Sequence, residues 1–163
     1  MLNKLVIPDA LPPQEIKGYK LPATNENLLG WDFVARHMTE AQYYWLATVN
    51  SSGQPHTVPV WGIWYENRVH FDGSPHTKWA RNLALNPKIA VHLPSGERVV
   101  IIEGRVQMLE DDDIDEPTWE ILDTTYRKKY STLQGSPYYV VHPHKVLAWD
   151  TITLESMTRW QFE

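Results

Sequence analysis

The sequence predicts a mainly β fold, a small antiparallel barrel with flanking helices. Three observations carry that expectation. From residue 43 onward, short runs rich in β-branched and aromatic residues follow one another across brief turns. Both faces of these runs carry apolar side chains, which suits a closed or partnered sheet better than a one-sided one. Two or three helical patterns interrupt them. At 163 residues, 42% of them apolar, the chain has the size of one domain, read as 1–163.

Residues 1–24 hold Pro8, Pro12, Pro13 and Pro22 and show no sustained period, so they read as an extended arm that must lean on the rest. Over 25–41, Leu28, Leu29, Phe33, Val34, Met38 and Ala41 recur at helical spacing behind Thr24 or Asn25 as a cap. The barrel is expected over 43–163. Tyr43–Val49 and Pro55–Tyr65 read as strands on either side of the turn Asn50-Ser-Ser-Gly53, and Glu66-Asn67 turns the chain into Arg68–Phe71. A helix near 76–86 follows, with Ser74 or Thr77 as cap, Pro75 suited to the first position and Asn86-Pro87 as the stop. Strands over 89–93 and 98–109 flank the turn Pro94-Ser-Gly-Glu97. A helix near 112–130 has acids 111–113 at its head and Arg127-Lys-Lys129 at its tail, both complementing the macrodipole. Strands over 138–149 and 156–162 complete the pattern.

A net charge of −5, with no block of five like charges, argues against nucleic acid as a partner. The chain has no cysteine, which excludes disulfides, thiolate metal sites and cysteine nucleophiles. Its first apolar run is too short for a signal peptide and no run approaches a membrane span, so a cytoplasmic location without membrane contact is expected.

Zinc needs three or four converging ligands, and the seven histidines are scattered with no His-Glu-x-x-His pattern, so no metal site is expected. The Gly-x-Ser-x-Gly, Gly-x-Gly-x-x-Gly and P-loop patterns are absent, and no side-chain nucleophile stands out. Two features do. Of eight tryptophans, Trp61, Trp79, Trp149 and Trp160 lie next to glycine, lysine or arginine or close to one, where a flat ring system would stack. Thr77 and Lys78 set a hydroxyl and a cation beside the open N–H groups of a helix start, where the dipole favours an anion. A planar cofactor with an anionic tail uses both.

Four motifs in order carry a resemblance: Tyr44-Trp-Leu-Ala-Thr-Val-Asn-Ser-Ser-Gly-Gln-Pro-His-Thr-Val-Pro-Val-Trp-Gly-Ile-Trp64, Thr77-Lys-Trp-Ala-Arg-Asn-Leu83 with Asn86-Pro87, Val99-Val-Ile-Ile-Glu-Gly104, and Thr158-Arg-Trp-Gln-Phe162. From about Leu28 on, the chain resembles the pyridoxamine 5′-phosphate oxidase-like split-barrel proteins, and more narrowly their flavin and deazaflavin oxidoreductases. The resemblance implies a six-stranded antiparallel split β-barrel, the FMN-binding split barrel, that forms a homodimer with two cofactor sites at the interface. It implies FMN, or alternatively the deazaflavin coenzyme F420, carrying hydride to or from a small molecule. Val58, Pro59, Val60 and Trp61 would flank the ring, with a main-chain N–H near Val60 or Trp61 available to the ring's N5. Asp72, Gly73, Ser74, Thr77 and Lys78 would hold the phosphate, helped by Arg81 or Arg159, and Asn82 would lie nearby. Arg159 and Trp160 would reach a cofactor site across the dimer.

The chain also departs from the oxidase proper, which has an arginine and a lysine where Val58 and Ile63 stand, and Ser-Arg-Lys in place of Thr77-Lys78-Trp79. Oxidation of pyridoxamine 5′-phosphate itself is therefore not expected. The alternative is a binding module without turnover that holds a flavin, haem or other tetrapyrrole, with His70, His76 or His142 as an axial ligand in the haem version.

Overall fold

The computed structural model describes residues 4–150 and 154–163. Among them the chain forms α1 (Trp31–Glu40), β1 (Tyr44–Val49), β2 (Pro55–Val60), β3 (Gly62–Tyr65), β4 (Arg68–Asp72), α2 (Lys78–Leu85), β5 (Lys88–His92), β6 (Arg98–Leu109), α3 (Glu116–Tyr130), β7 (Tyr138–Asp150) and β8 (Thr158–Gln161). Every ladder is antiparallel, in one sheet ordered β2-β1-β5-β6-β7-β4-β3, with β8 added beside β7. The two end strands, β2 and β3, are joined through Trp61 alone. The sheet must therefore curl until its edges approach, which makes a barrel split between β2 and β3.

Eight strands stand where the family resemblance implies six. Trp61 breaks the run Pro55–Tyr65 into two strands at opposite edges, and β8 is a short addition to β7. Pro55 and Pro59 explain why β2 is an edge, since neither donates to a ladder. The first helix begins at Trp31 rather than near residue 25, because the extended backbone of Gly30 starts it. The third begins at Glu116. Acids 111–113 form a separate 3-10 turn, and the N-cap is Asp115, which accepts from the Thr118 N–H at 3.1 Å. Ser131, with φ 57°, ends that helix in the left-handed conformation.

The barrel interior is the main core. Tyr44, Leu46, Val69, Phe71, Val91, Val100, Ile102, Val141 and Val146 meet Phe33, Val34 and Met38 of α1 and Trp79, Ala80 and Leu83 of α2. A smaller cluster joins Ile63, Leu109, Tyr138 and Val140 to Leu122 and Tyr126 of α3. In the N-terminal segment Leu11 and Arg159 exchange two backbone hydrogen bonds of 2.8 Å, and Leu5, Ile7 and Ala10 pack on the core.

Opposite that interior, the outer sheet face is also apolar in its middle. Trp45, Ala47, Val49, Ala90, Ile101, Leu147 and Trp149 alternate with core residues and are only partly covered. This is the two-faced pattern the sequence shows.

The longest ladder, β6 with β7, has its register break between Glu103 and Gly104. A Cβ at Gly104 would drive into the His142 carbonyl and lie 3.2 Å from the Pro143 Cα, both backbone. Gly104→Ala is therefore expected to cost about 3 kcal/mol, with the urea midpoint as the check.

Candidate functional site

The start of α2 leaves backbone donors open. Thr77 caps it, its hydroxyl accepting from the Ala80 N–H at 3.3 Å and donating to the Ser74 carbonyl at 3.0 Å. The Thr77 carbonyl takes the Arg81 N–H. The N–H groups of Lys78 and Trp79 are left as the open donors of the first turn. Lys78 is exposed, and no acidic residue lies in that turn. The Arg81 guanidinium folds back onto the His76 carbonyl at 3.0 Å, so a second cation stands at the helix mouth.

The approach to this turn is fixed from below. Gly73 has φ +154°, and a Cβ there would lie 2.8 Å from the Trp79 ring. Trp79 is buried at 6% exposure, packed edge-on against Phe71 and Tyr139 at 5.4 and 5.0 Å. It is thus part of the core beneath the turn, and its ring is not available for stacking. Asp72 faces the other way, one oxygen accepting from the Gly135 N–H at 2.7 Å.

Two residues placed in the site by resemblance have partners elsewhere within one chain. Asn82 is buried and its amide donates to the Thr48 hydroxyl at 3.0 Å, tying α2 to β1. Trp160 is 1% exposed in the barrel core, edge-on to Trp31 at 5.3 Å. Arg159, on β8, is separated from β2 by β1, β5, β6 and β7 in the sheet order, and its buried Nε has no hydrogen-bond partner.

On β2 the side chains divide by face. Val58 and Val60 pack against the core, whereas Thr57, Pro59 and Trp61 are exposed, Trp61 at 46%. Pro55 and Pro59 in an edge strand set their backbone nitrogens toward the free edge. By the same alternation Thr57 presents an open N–H group there, and Val60 donates toward β1. Behind Trp61, Tyr130 stacks on its ring at 4.8 Å with planes 2° apart. Sequence reasoning missed Tyr130 and its neighbour Lys129, whose roles arise only from tertiary contact.

A separate groove of about 690 Å³ opens at the hairpin end of β1 and β2, past the end of α2, between Val49, Lys88, Arg105, His142, His144 and Glu163. His142, held by Gln107 at 3.0 Å, and His144 border it. His70 is not available to any ligand. It is fully buried, with Nδ1 2.7 Å from the Tyr138 hydroxyl and Nε2 3.0 Å from the Tyr65 carbonyl. Burial drives its pKa down to about 3. The unfolded imidazole takes up a proton near pH 6.5 and the folded one does not, so stability present above pH 6.5 is lost as pH falls toward 3. Denaturant midpoints from pH 7 to 4 are expected to fall less steeply in His70→Asn than in the parent chain.

Among the described residues no three His, Asp or Glu side chains gather as a metal site, and no helix is long and apolar enough to cross a membrane.

An antiparallel sheet curled into a split barrel, with an open helix start beside it, defines a class. The chain belongs to the pyridoxamine 5′-phosphate oxidase family, whose model matches residues 32–153. No curated protein matches significantly. Several solved structures share the fold. An F420 reductase is 20% identical over 68% of this chain and 94% of its own, with a TM-score of 0.53. A haem-binding protein from Mycobacterium smegmatis is 18% identical over 76% of this chain and 55% of its own, with a TM-score of 0.61. A pyridoxamine 5′-phosphate oxidase-related, FMN-binding protein from Nostoc punctiforme is 16% identical over 82% and 90%, with a TM-score of 0.55.

Proposed function

We propose that the protein is an oxidoreductase that binds FMN, or alternatively F420, along β2 and the start of α2, and exchanges hydride with a small molecule. The observation that carries this reading is the open first turn of α2: two N–H groups left without helix partners, an exposed Lys78 and the Arg81 guanidinium folded back to the His76 carbonyl, with Pro59 and Trp61 exposed at and just past the end of β2. Family membership and the FMN-binding and F420 relatives support it.

When bound, the coenzyme supplies the hydride chemistry. The chain's own residues do the rest. Lys78, Arg81 and the N–H groups of Lys78 and Trp79 neutralise the phosphate; Asp72, Gly73 and Ser74 shape the turn around it. Backbone of Val58 and Val60 and the side chains of Pro59 and Trp61 line one side of the ring, and the Trp61 N–H is the donor for N5. Asn82 acts indirectly, through Thr48. No protein nucleophile is needed. Val58 and Ile63 leave β2 and β3 without the cations of the oxidase proper, so the substrate is not pyridoxamine 5′-phosphate.

The site is open in one protomer. A homodimer formed across the outer sheet face supplies the second wall, covers Trp45, Ile101, Leu147 and Trp149, and offers the unpaired Nε of Arg159 a partner. A cytoplasmic soluble role fits this reading.

A second reading is a haem-type binding module, favoured by the groove bordered by His142 and His144 with Lys88 and Arg105 at its rim. An absorbance spectrum of the purified protein, with FMN, F420 and haemin added in turn, separates the two. Yellow cofactor that a donor reduces and an acceptor reoxidises supports the enzyme. A Soret band with no flavin binding rejects it.

A further inference from the structure

The corner where β2 passes into β3 is held from behind by the last turn of α3. The Lys129 Nζ donates to the Gly62 carbonyl at 2.7 Å. The Tyr130 hydroxyl accepts from the Gly62 N–H at 2.9 Å, and the carbonyls of Gly62 and Gln42, each 2.8 Å away, share its single proton. Both backbone groups of one residue are thus gripped by two consecutive side chains. Tyr130 also carries the stacked Trp61 ring. Lys129 is seated over the faces of Tyr44 and Tyr130, 4.7 and 5.1 Å from their centroids. Gly62 itself admits no side chain, since a Cβ would lie 2.6 Å from the His70 carbonyl.

We propose that Lys129 and Tyr130 are positioning residues that clamp Gly62 and the Trp61 ring, and so set the end of β2 that faces the coenzyme ring. This rests on the flavin-type reading of β2 given above. The rest of α3 packs on the sheet through an apolar cluster that needs neither polar group. A plain structural role would be met by apolar side chains at 129 and 130.

The clamp is sensitive to pH. Lys129 lies against Tyr44 of β1 and Tyr130 of α3, and Tyr130 in turn faces Tyr126 of its own helix, Tyr43 ahead of β1 and Asp72 at the end of β4; no carboxylate pairs with Lys129 among the described residues. Burial lowers its ammonium to about 8. Tyr130 is pushed up to about 12, chiefly by burial, and keeps its proton throughout the working range. Above pH 8 Lys129 therefore turns neutral and gives up its charge-assisted bond to Gly62 and its contact with the two rings.

The test uses the full chain. The Gly62 amide nitrogen shift is followed from pH 6 to 9.5 without ligand, and FMN affinity is measured over the same range. In the parent chain the shift is expected to titrate with a midpoint near 8, and FMN affinity to fall several-fold above it. Lys129→Met removes the titration and leaves affinity low and flat; Lys129→Arg removes the titration but restores affinity. Tyr130→Phe keeps the stacked ring and loses the grip on Gly62, giving a similar several-fold loss even where Lys129→Met folds poorly. FMN binding that is unchanged in Lys129→Met and Tyr130→Phe and independent of pH overturns the clamp. Absence of FMN and F420 binding at every pH overturns instead the reading on which it rests, and the proposed role with it.

Discussion

Trp160→Ala is expected to cost roughly 3–5 kcal/mol of folding stability, the range for emptying a buried tryptophan site. Trp160 sits at 1% exposure, edge-on to Trp31, and its ladder partner Val146 is fully buried. Trp31 is itself tied by its indole N–H to Asn67 at 2.8 Å and touches Phe162 and Trp64, so one deletion loosens α1, β3 and β8 together. Domains of this size have only about 5–15 kcal/mol in hand, so a large part of the folded state's margin would go. Urea unfolding of the parent chain, Trp160→Phe and Trp160→Ala gives the check. A small stability change with a large loss of coenzyme affinity would instead make Trp160 a ligand contact.

Lys78→Ala is expected to do the reverse. Its side chain is exposed, so stability should change by less than about 0.5 kcal/mol. Hydrogen bonds to charged groups contribute about 1.5–3 kcal/mol, so FMN affinity should fall by roughly 10- to 100-fold. The loss should be specific to the phosphate: riboflavin, which shares the ring and lacks that group, should bind the parent chain and Lys78→Ala alike. Isothermal titration of both ligands to both proteins measures all four values. An equal loss for riboflavin would place Lys78 against the ring.

What could be read from the sequence was what local chemistry decides. Thr77 caps α2 because a side-chain hydroxyl three residues ahead of an N–H needs nothing from the rest of the fold. The two-faced sheet was visible in the strand runs, and family likeness supplied the split barrel. What was hidden depends on which way a side chain turns. Trp79, beside Lys78, goes into the core because Gly73 leaves room for its ring, and neither residue states this alone. Asn82 reads as a polar group near a helix start, yet its amide is spent on Thr48, 34 residues earlier. Lys129 looked like one of three tail cations complementing a dipole; its lowered pKa and its grip on Gly62 come from β1 and β3 closing over it. Trp61 gave no sign that a single residue would divide one apparent strand between the two edges of the sheet.

The central claim is that the start of α2 binds the phosphate of a flavin-type coenzyme. The most direct measurement is the affinity of the parent protein for FMN against riboflavin, by fluorescence quenching at fixed ionic strength, with F420 as a third ligand. The account predicts that FMN or F420 binds, and that FMN exceeds riboflavin by at least about tenfold where FMN is the ligand, since the pair differ only by the group that Lys78, Arg81 and the helix start would hold. Equal affinities for FMN and riboflavin, or no binding of either coenzyme, would contradict it.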